Sequence, residues 1–283
     1  MKSIRLFLLP LLLLSLFLTG CDSSADGDEG TTMVTLFLQP TVAGTPLSTD
    51  LSTTYTVNGA TISFNSARMY VSEITLLRKD GTAVSFEGET ITVPAKDTND
   101  NDITHTVTDQ IVLAKHDAGV HKYMLGEVPE GEYTGVRYKV GIAGTTNRVD
   151  PSQVPATHPL AKQTDRNNHW NWNAGYQFIR MDGLVDTNAD GTPDEVWETH
   201  LGTANFLTDL NLAMDFRLND GEGVELHIIA DYGKLLQDVD LNNPDERLCH
   251  TGNNLPVANK VGAMIGEAFE LHGVHEAAGH DHN

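Results

Sequence analysis

The chain has 283 residues, in which 18 Lys and Arg face 39 Asp and Glu, so its formal net charge is −21. A chain this acidic repels phosphate backbones, so we expect no nucleic-acid partner, whereas an acidic surface suits a protein that binds cations. Only two cysteines are present. If Cys21 carries a lipid, Cys249 has no partner for an intramolecular disulfide and is either buried, oxidised or bound to a soft metal.

The first twenty residues have the pattern of a signal peptide, with Lys2 and Arg5 before an apolar run that is too short to cross a bilayer. The run ends in LTGC, the lipobox of bacterial lipoproteins, in which Cys21 is the residue that receives the lipid. We therefore expect residues 1–20 to be removed and Cys21 to anchor the protein in the bacterial cell envelope. We expect the outer membrane, and the sequence leaves the periplasmic or surface face open.

Residues 21–32, CDSSADGDEGTT, contain no aromatic or branched aliphatic side chain, which predicts a disordered acidic tether. From residue 33 to residue 271 short apolar runs alternate with turn residues. One example is the stretch 55–64, in which Asn58 and Gly59 predict a hairpin turn. This pattern predicts an all-β domain folded as an antiparallel β-sandwich.

One short C-terminal helix is predicted from Leu255 to Phe269, with Asn254 as its N-cap and Pro256 in its first turn. Residues 272–283 are predicted to form a His-rich tail. Such a tail can collect divalent or cuprous ions, although it can equally be a weak site with little selectivity. Its histidines are His272, His275, His280 and His282.

The stretch 167–180, NNHWNWNAGYQFIR, places His169 directly before Trp170, with Trp172 two residues later. Large aromatic rings in a solvent loop would expose costly apolar surface, so something must cover them. The stretch is either a packed aromatic edge or the floor of a metal site. On a strand, the two tryptophans would face the same side.

Residues 186–195 have the pattern of a calcium loop, D-x-N-x-D-G-x-x-D-E. Calcium takes six to eight oxygen ligands, and alternate polar side chains with Gly191 at the sixth position let a chain curl around the ion. Trp197 stands where an EF-hand has its glutamate, so the loop is no complete EF-hand, and an ordinary Asx-rich turn is the alternative. The candidate calcium ligands are Asp186, Asn188, Asp190, Thr192 through its carbonyl, Asp194 and Glu195.

Six motifs occur in an order that resembles the MbnP-like family of copper-binding periplasmic and outer-membrane proteins, related to MopE and CorA of methanotrophs. The motifs are SFNSARMYVSEITLLRKDG at 63–81, VPEGEYTGVRYKVGIAG at 128–144 with Asn147 beyond it, HPLA at 158–161, HWNWNAGYQFIRMDG at 169–183, HLG at 200–202 and CHTG at 249–252. Each motif alone is weak, but six in one order are specific.

The resemblance implies a β-sandwich that binds copper through histidines and the amino group of a kynurenine. A partner di-haem enzyme of the MauG and MbnH type makes that kynurenine from tryptophan. Trp170 or Trp172 is then the oxidised residue. The copper ligands would be His169, His200 and His250, with His158 as a weaker fourth. Many members have a small residue and a Cys after HLG, whereas this chain continues with Thr203 and Ala204.

We expect a binding protein and not an enzyme, because the chain has no G-x-S-x-G, H-E-x-x-H or P-loop motif. The predicted function is copper acquisition or storage. One alternative is a calcium-stabilised surface module that binds a glycan or protein partner without copper. Another is a protein that serves only as the substrate of a di-haem enzyme.

Overall fold

The computed structural model describes residues 30–171, 173–221 and 223–276. The strands are β1 (Thr31–Val42), β2 (Thr45–Pro46), β3 (Tyr55–Val57), β4 (Ala60–Arg78), β5 (Ala83–Ser85), β6 (Glu87–Lys96), β7 (Asp102–Asp109), β8 (Val112–Lys115), β9 (Lys122–Pro129), β10 (Gly131–Val140), β11 (His169–Asn171), β12 (Gly175–Val185), β13 (Glu195–Gly202), β14 (Thr208–Leu218), β15 (Val224–Asp231), β16 (Leu248–His250) and β17 (Phe269–Glu276). The α-helices are α1 (Tyr232–Leu235) and α2 (Leu255–Met264). The 3-10 turns are His116–Ala118, Gly144–Arg148, Ala204–Phe206, Pro244–Glu246, Thr251–Asn253 and Ile265–Glu267.

Two large sheets enclose the main core, as the predicted β-sandwich requires. The first sheet has the order β17-β15-β1-β2, and β9 also pairs with β1. The second has the order β14-β10-β4-β12-β13-β16, with β3, β5 and β8 on β4 and β11 on β12. Nearly all pairs are antiparallel, but β1 with β15 and β13 with β16 are parallel. Strands β6 and β7 form a separate ribbon.

The core follows from the alternation of side chains along the strands. In β1 every second residue from Val34 to Leu38 is buried, and these side chains share one apolar cluster with Phe64 of β4. Burial of one such side chain stabilises the fold by about 1.5–3 kcal/mol. Trp197 is fully buried in the same cluster, and its indole N–H donates to the carbonyl of Leu184 over 3.1 Å.

Strand β4 also fixes the start of the tryptophan stretch. Arg68 is only 2 % exposed, and its Nη2 contacts Asp117 at 2.8 Å and Asp165 at 2.6 Å. The hydrogen bond from Arg68 lowers the pKa of Asp165 well below its usual range. Removal of either carboxylate from this buried arginine would destabilise the fold, because a buried charge would be left without a partner. The chain that leads to His169 is therefore anchored on β4.

The predicted hairpin is present. Val57 pairs with Ala60, so Asn58 and Gly59 form the two-residue loop. Their φ angles are +47° and +76°. Both positions need a left-handed backbone, which Asn and Gly tolerate best.

The C-terminal segment departs from the prediction. Helix α2 ends at Met264, a 3-10 turn follows, and β17 runs to Glu276. His272 and His275 therefore belong to a strand of the first sheet and not to a tail, because β15 offers backbone partners and the core accepts Leu271. At the other end, β1 begins at Thr31, inside the stretch predicted to be a tether.

Cys21, Trp172, His280 and His282 lie outside the described residues. The predictions for the lipid anchor and for the end of the His-rich tail therefore concern residues that the structure does not describe. No helix in the described ranges is long and apolar enough to cross a membrane.

Candidate metal centre

His200 and His250 come together because β13 and β16 are parallel neighbours. The two residues are paired directly in the register, so their side chains leave the same face of the sheet. Their imidazole rings stack with centroids 4.6 Å apart and planes within 7°. The HLG and CHTG motifs therefore form one site.

Glu198 completes a group of three possible metal ligands. It lies two residues before His200 on β13 and thus on the same face. Its Oε2 is 2.9 Å from Nε2 of His250. One ligand atom from each of the three residues lies within 4.8 Å of the others, and no other such group occurs among the described residues. His200 is buried and the His250 side chain is 43 % exposed, so the group opens to solvent on one side.

Asp182 orients the imidazole ring of His200 through a hydrogen bond. Its Oδ1 lies 2.5 Å from Nε2 of His200, and its Oδ2 accepts from Nε of Arg180 over 2.7 Å. Burial alone would raise the pKa of Asp182, but the bonds and charges of His200 and Arg180 outweigh burial and lower it. An ionised carboxylate on Nε2 assigns the proton to that nitrogen, which leaves Nδ1 of His200 with the lone pair that a metal needs.

The CHTG motif connects β16 and the turn after it to β13 through side-chain hydrogen bonds. The hydroxyl of Thr251 donates to the carbonyl of His200 and accepts from the backbone N–H of Gly202, both over 3.0 Å. The backbone N–H of His250 donates to the side chain of Asn253 over 2.6 Å. Cys249 is fully buried on the other face, and burial raises the pKa of its thiol. Its Sγ lies 3.5 Å from the carbonyl of Asn254, so this cysteine is a core residue.

Trp170 and His250 line the same cavity. Its volume is about 480 Å³, and Thr203, Phe206, Thr251 and Leu255 also line it. Trp170 is half-buried. A Cβ added at Gly202 would lie 2.6 Å from Cζ3 of the Trp170 ring and 2.6 Å from the carbonyl oxygen of Tyr176. Glycine at this position is therefore what allows the indole to lie against β13.

His169 does not join the group, although the sequence predicted it as a ligand. Neighbouring residues of a strand face opposite sides, and His169 packs edge-to-face on Tyr176 with centroids 4.8 Å apart. Burial lowers the pKa of His169, and its Nε2 has no hydrogen-bond partner in the described ranges. His158 is also outside the group, and its Nδ1 accepts from the backbone N–H of Leu160 over 3.1 Å.

Sequence reasoning missed Glu198 and Asp182. The signal for Glu198 is the spacing E-x-H in a strand, which puts both side chains on one face. The signal for Asp182 is a carboxylate within the mostly apolar stretch 176–185, since a buried charge there needs a partner.

The predicted calcium loop connects β12 with β13, the strand that carries Glu198 and His200. Asp186 accepts from the N–H groups of Ala189 and Gly191, each over 2.8 Å. Asp190 accepts from the N–H of Thr192 over 2.8 Å, and Asp194 from that of Thr187 over 2.9 Å. These are the bonds of an Asx-rich turn. Asn188 contributes a further one, and Glu195 begins β13. These bonds fix the shape of the loop. Its carboxylates, however, do not form a group of three ligand atoms within 4.8 Å of one another.

Comparison with known proteins agrees with the resemblance seen in the motifs. The family model MbnP matches residues 31–251, which include every predicted copper ligand. Among solved structures, MbnP from Methylosinus trichosporium matches with 16% identity and a TM-score of 0.49, over 88% of this chain and 99% of that chain. No curated protein matches the chain. Because the family model spans most of the sequence, this chain belongs to the MbnP family.

Proposed function

We propose that this protein is a lipid-anchored envelope protein that binds copper for acquisition or storage, at a site made by His200, His250 and a kynurenine derived from Trp170. One observation carries the proposal. The rings of His200 and His250 stack on each other, and His250 shares a cavity with Trp170.

The donor set fits cuprous ion. Cu⁺ is soft and accepts two or three nitrogen or sulfur ligands at low coordination number. His200 would bind through Nδ1, since Asp182 holds its Nε2. Glu198 is a hard oxygen donor, so we assign it to the hydrogen bond that orients His250 and not to Cu⁺ itself. A divalent ion would instead use Glu198 as a ligand, which makes this residue a test of the metal's oxidation state.

Trp170 is the candidate for oxidation by a partner di-haem enzyme. The C2–C3 bond of the indole is cleaved, and each carbon gains one oxygen atom. With hydrogen peroxide as the oxidant, two peroxide molecules supply these atoms and leave as water. Hydrolysis of the formamide then releases formate and frees an aryl amine that can bind copper.

Accessibility favours Trp170 over the other described tryptophan. Trp170 is half-buried at a cavity that opens to the surface, whereas Trp197 is fully buried in the core. A haem enzyme removes electrons through its own face, so its substrate residue must lie near the surface. Trp172 lies outside the described residues, and its predicted role stays a prediction.

Competition of the protein with a chromophoric Cu⁺ chelator tests the proposal. We expect His200→Ala and His250→Ala each to weaken copper binding by at least about 10-fold, the lower limit for loss of a supporting contact at a metal site. His105→Ala is the control, because His105 lies in β7 and bonds to Thr146. Unchanged affinity in the His200→Ala/His250→Ala double variant would exclude the site.

Thermal unfolding with added Ca²⁺ or Cu⁺ separates this proposal from a calcium-stabilised binding module. That alternative predicts a melting temperature that rises with Ca²⁺ and does not respond to Cu⁺. A copper-induced rise that His200→Ala abolishes would count against it.

A further inference from the structure

We infer that the outer face of the five-stranded sheet carries a second metal site, formed by His227, His272 and His275, for a divalent transition ion that prefers imidazole, such as Zn²⁺. His227 lies on β15 and the other two on β17, the edge strand beside it. The site shares no residue with the copper centre and does not depend on the proposed function.

A β-bulge brings His272 and His275 to the same face. In a regular strand, residues three apart point to opposite sides. Here Ile228 pairs with Leu271 but His227 pairs with Gly273, so His272 is the inserted residue. The extra residue turns His272 toward the side on which His227 and His275 already lie.

Gly273 makes room for the third ring. A Cβ at this position would lie 2.8 Å from Nε2 of His275, so the imidazole of His275 folds over the glycine. Since Gly273 is the residue opposite His227, this fold directs His275 toward β15. All three rings are thus gathered above one pair of the ladder.

The spacing of the rings fits a tetrahedral ion. The centroid of His227 is 5.1 Å from that of His272 and 5.7 Å from that of His275. Imidazoles that bind one zinc ion at about 2.0–2.1 Å have centroids roughly 5 Å apart. In this structure the ligand nitrogens of the three histidines do not all lie within 4.8 Å of one another. His272 and His275 are exposed, so rotation of their side chains can bring the nitrogens together.

The neighbouring residues fix the tautomer of His227 that can bind a metal through Nδ1. Its Nε2 is 2.5 Å from Oε1 of Gln39, which acts only as an acceptor and therefore assigns the ring proton to Nε2 and the lone pair to Nδ1. Burial lowers the pKa of His227, and the neighbouring His272 and His275 lower it further. Glu225, opposite His275, contributes negative charge and is held by Lys122 at 2.5 Å.

Zinc titration of the full chain against a chromophoric chelator tests the inference. The His200→Ala/His250→Ala background removes the copper centre as a competing site. In that background we expect one bound Zn²⁺ to remain, and His227→Gln or His272→Gln to weaken its binding by at least about 10-fold. Gly273→Ala should also weaken binding, although it removes no ligand, because its methyl group displaces the His275 ring.

Two controls make the outcome decisive. His105→Gln and the double variant His280→Gln/His282→Gln should retain the ion. Loss of zinc in the tail variant, or zinc binding that His227→Gln and His272→Gln leave unchanged, would overturn the site. No zinc bound in the background protein would overturn it as well. His272 is exposed, so His272→Gln decides the question even if His227→Gln does not fold.

Discussion

His200 and His250 are stacked imidazoles on neighbouring parallel strands, with ring centroids 4.6 Å apart. Two positively charged rings at this distance would repel each other, whereas neutral rings or rings that share a metal do not. Each ring also has a carboxylate partner, Asp182 for His200 and Glu198 for His250. This pattern of histidines fixed by carboxylates is the usual support of metal ligands.

Asp182→Asn should weaken copper binding by about 10- to 100-fold, the range for outer partners of metal-bound histidines. The neutral amide no longer fixes the tautomer of His200, and Arg180 loses its charged partner. Chelator competition measures the effect. Asp209→Asn, at an exposed partner of Lys139, controls for the loss of one negative charge. Equal affinities in the two variants would contradict the role of Asp182.

Gly202→Ala should destabilise the fold by about 1–3 kcal/mol, the usual cost of overpacking. The new methyl group would meet the Trp170 ring and the Tyr176 carbonyl, both at 2.6 Å. Urea denaturation gives the free energy of unfolding. Gly252→Ala is the matched control, because a Cβ there meets nothing within 4 Å. If both variants have the wild-type stability, Trp170 does not lie against β13.

Calcium should raise the melting temperature, and Asp190→Asn should reduce that rise. The substitution removes a charge from the 186–195 loop, whose turn is already formed by backbone bonds to its side chains. Asp97→Asn is the control. Asp97 makes similar bonds, to Asn99 and Asn101, in a loop that has no glycine for the curl. If calcium raises the melting temperature of Asp190→Asn and Asp97→Asn by the same amount, the 186–195 loop is not a specific calcium site.

Stability should fall in mild acid because of His116. Burial lowers the pKa of this histidine from 6.5 to about 3 in the folded protein. The unfolded chain therefore takes up a proton first as pH falls, so the stabilisation is complete above about 6.5 and is lost progressively toward about 3. The slope is up to about 1.4 kcal/mol for each pH unit.

Urea denaturation at about pH 7 and about pH 5 measures this slope. His116→Gln should flatten it, because glutamine does not titrate and can still reach toward Tyr232, which now lies 2.9 Å from Nδ1 of His116. His272→Gln, at an exposed position, should keep the wild-type slope. A His116→Gln slope equal to that of the wild type would show that another group governs acid unfolding.

Features that depend on neighbouring residues could be predicted from the sequence. The turn at Asn58 and Gly59 is one such feature, because two left-handed residues between apolar runs leave few alternatives. The start of helix α2 is another, since the side chain of Asn254 accepts from the N–H of Val257 as its cap. The all-β class followed from the alternation of many short runs.

The candidate copper site depends on contacts that spacing does not encode. The pairing of β13 with β16 joins segments far apart in the chain, so only the family resemblance placed His200 near His250. The structure places His169 outside the group of His200 and His250, and the pairing of its three-residue strand with β12 is not encoded by sequence spacing. The bulge at His272 was equally hidden, since it arises from the pairing of β17 with β15.

We propose that His200 and His250 bind copper together with a kynurenine made from Trp170. Peptide mass spectrometry on protein from its native host, combined with metal analysis after dialysis, tests it most directly. We predict that the peptide with Trp170 has lost one carbon atom and gained one oxygen atom, that Trp197 is unchanged, and that copper is retained. Unmodified Trp170 and Trp172 in a protein that retains no copper would contradict the account.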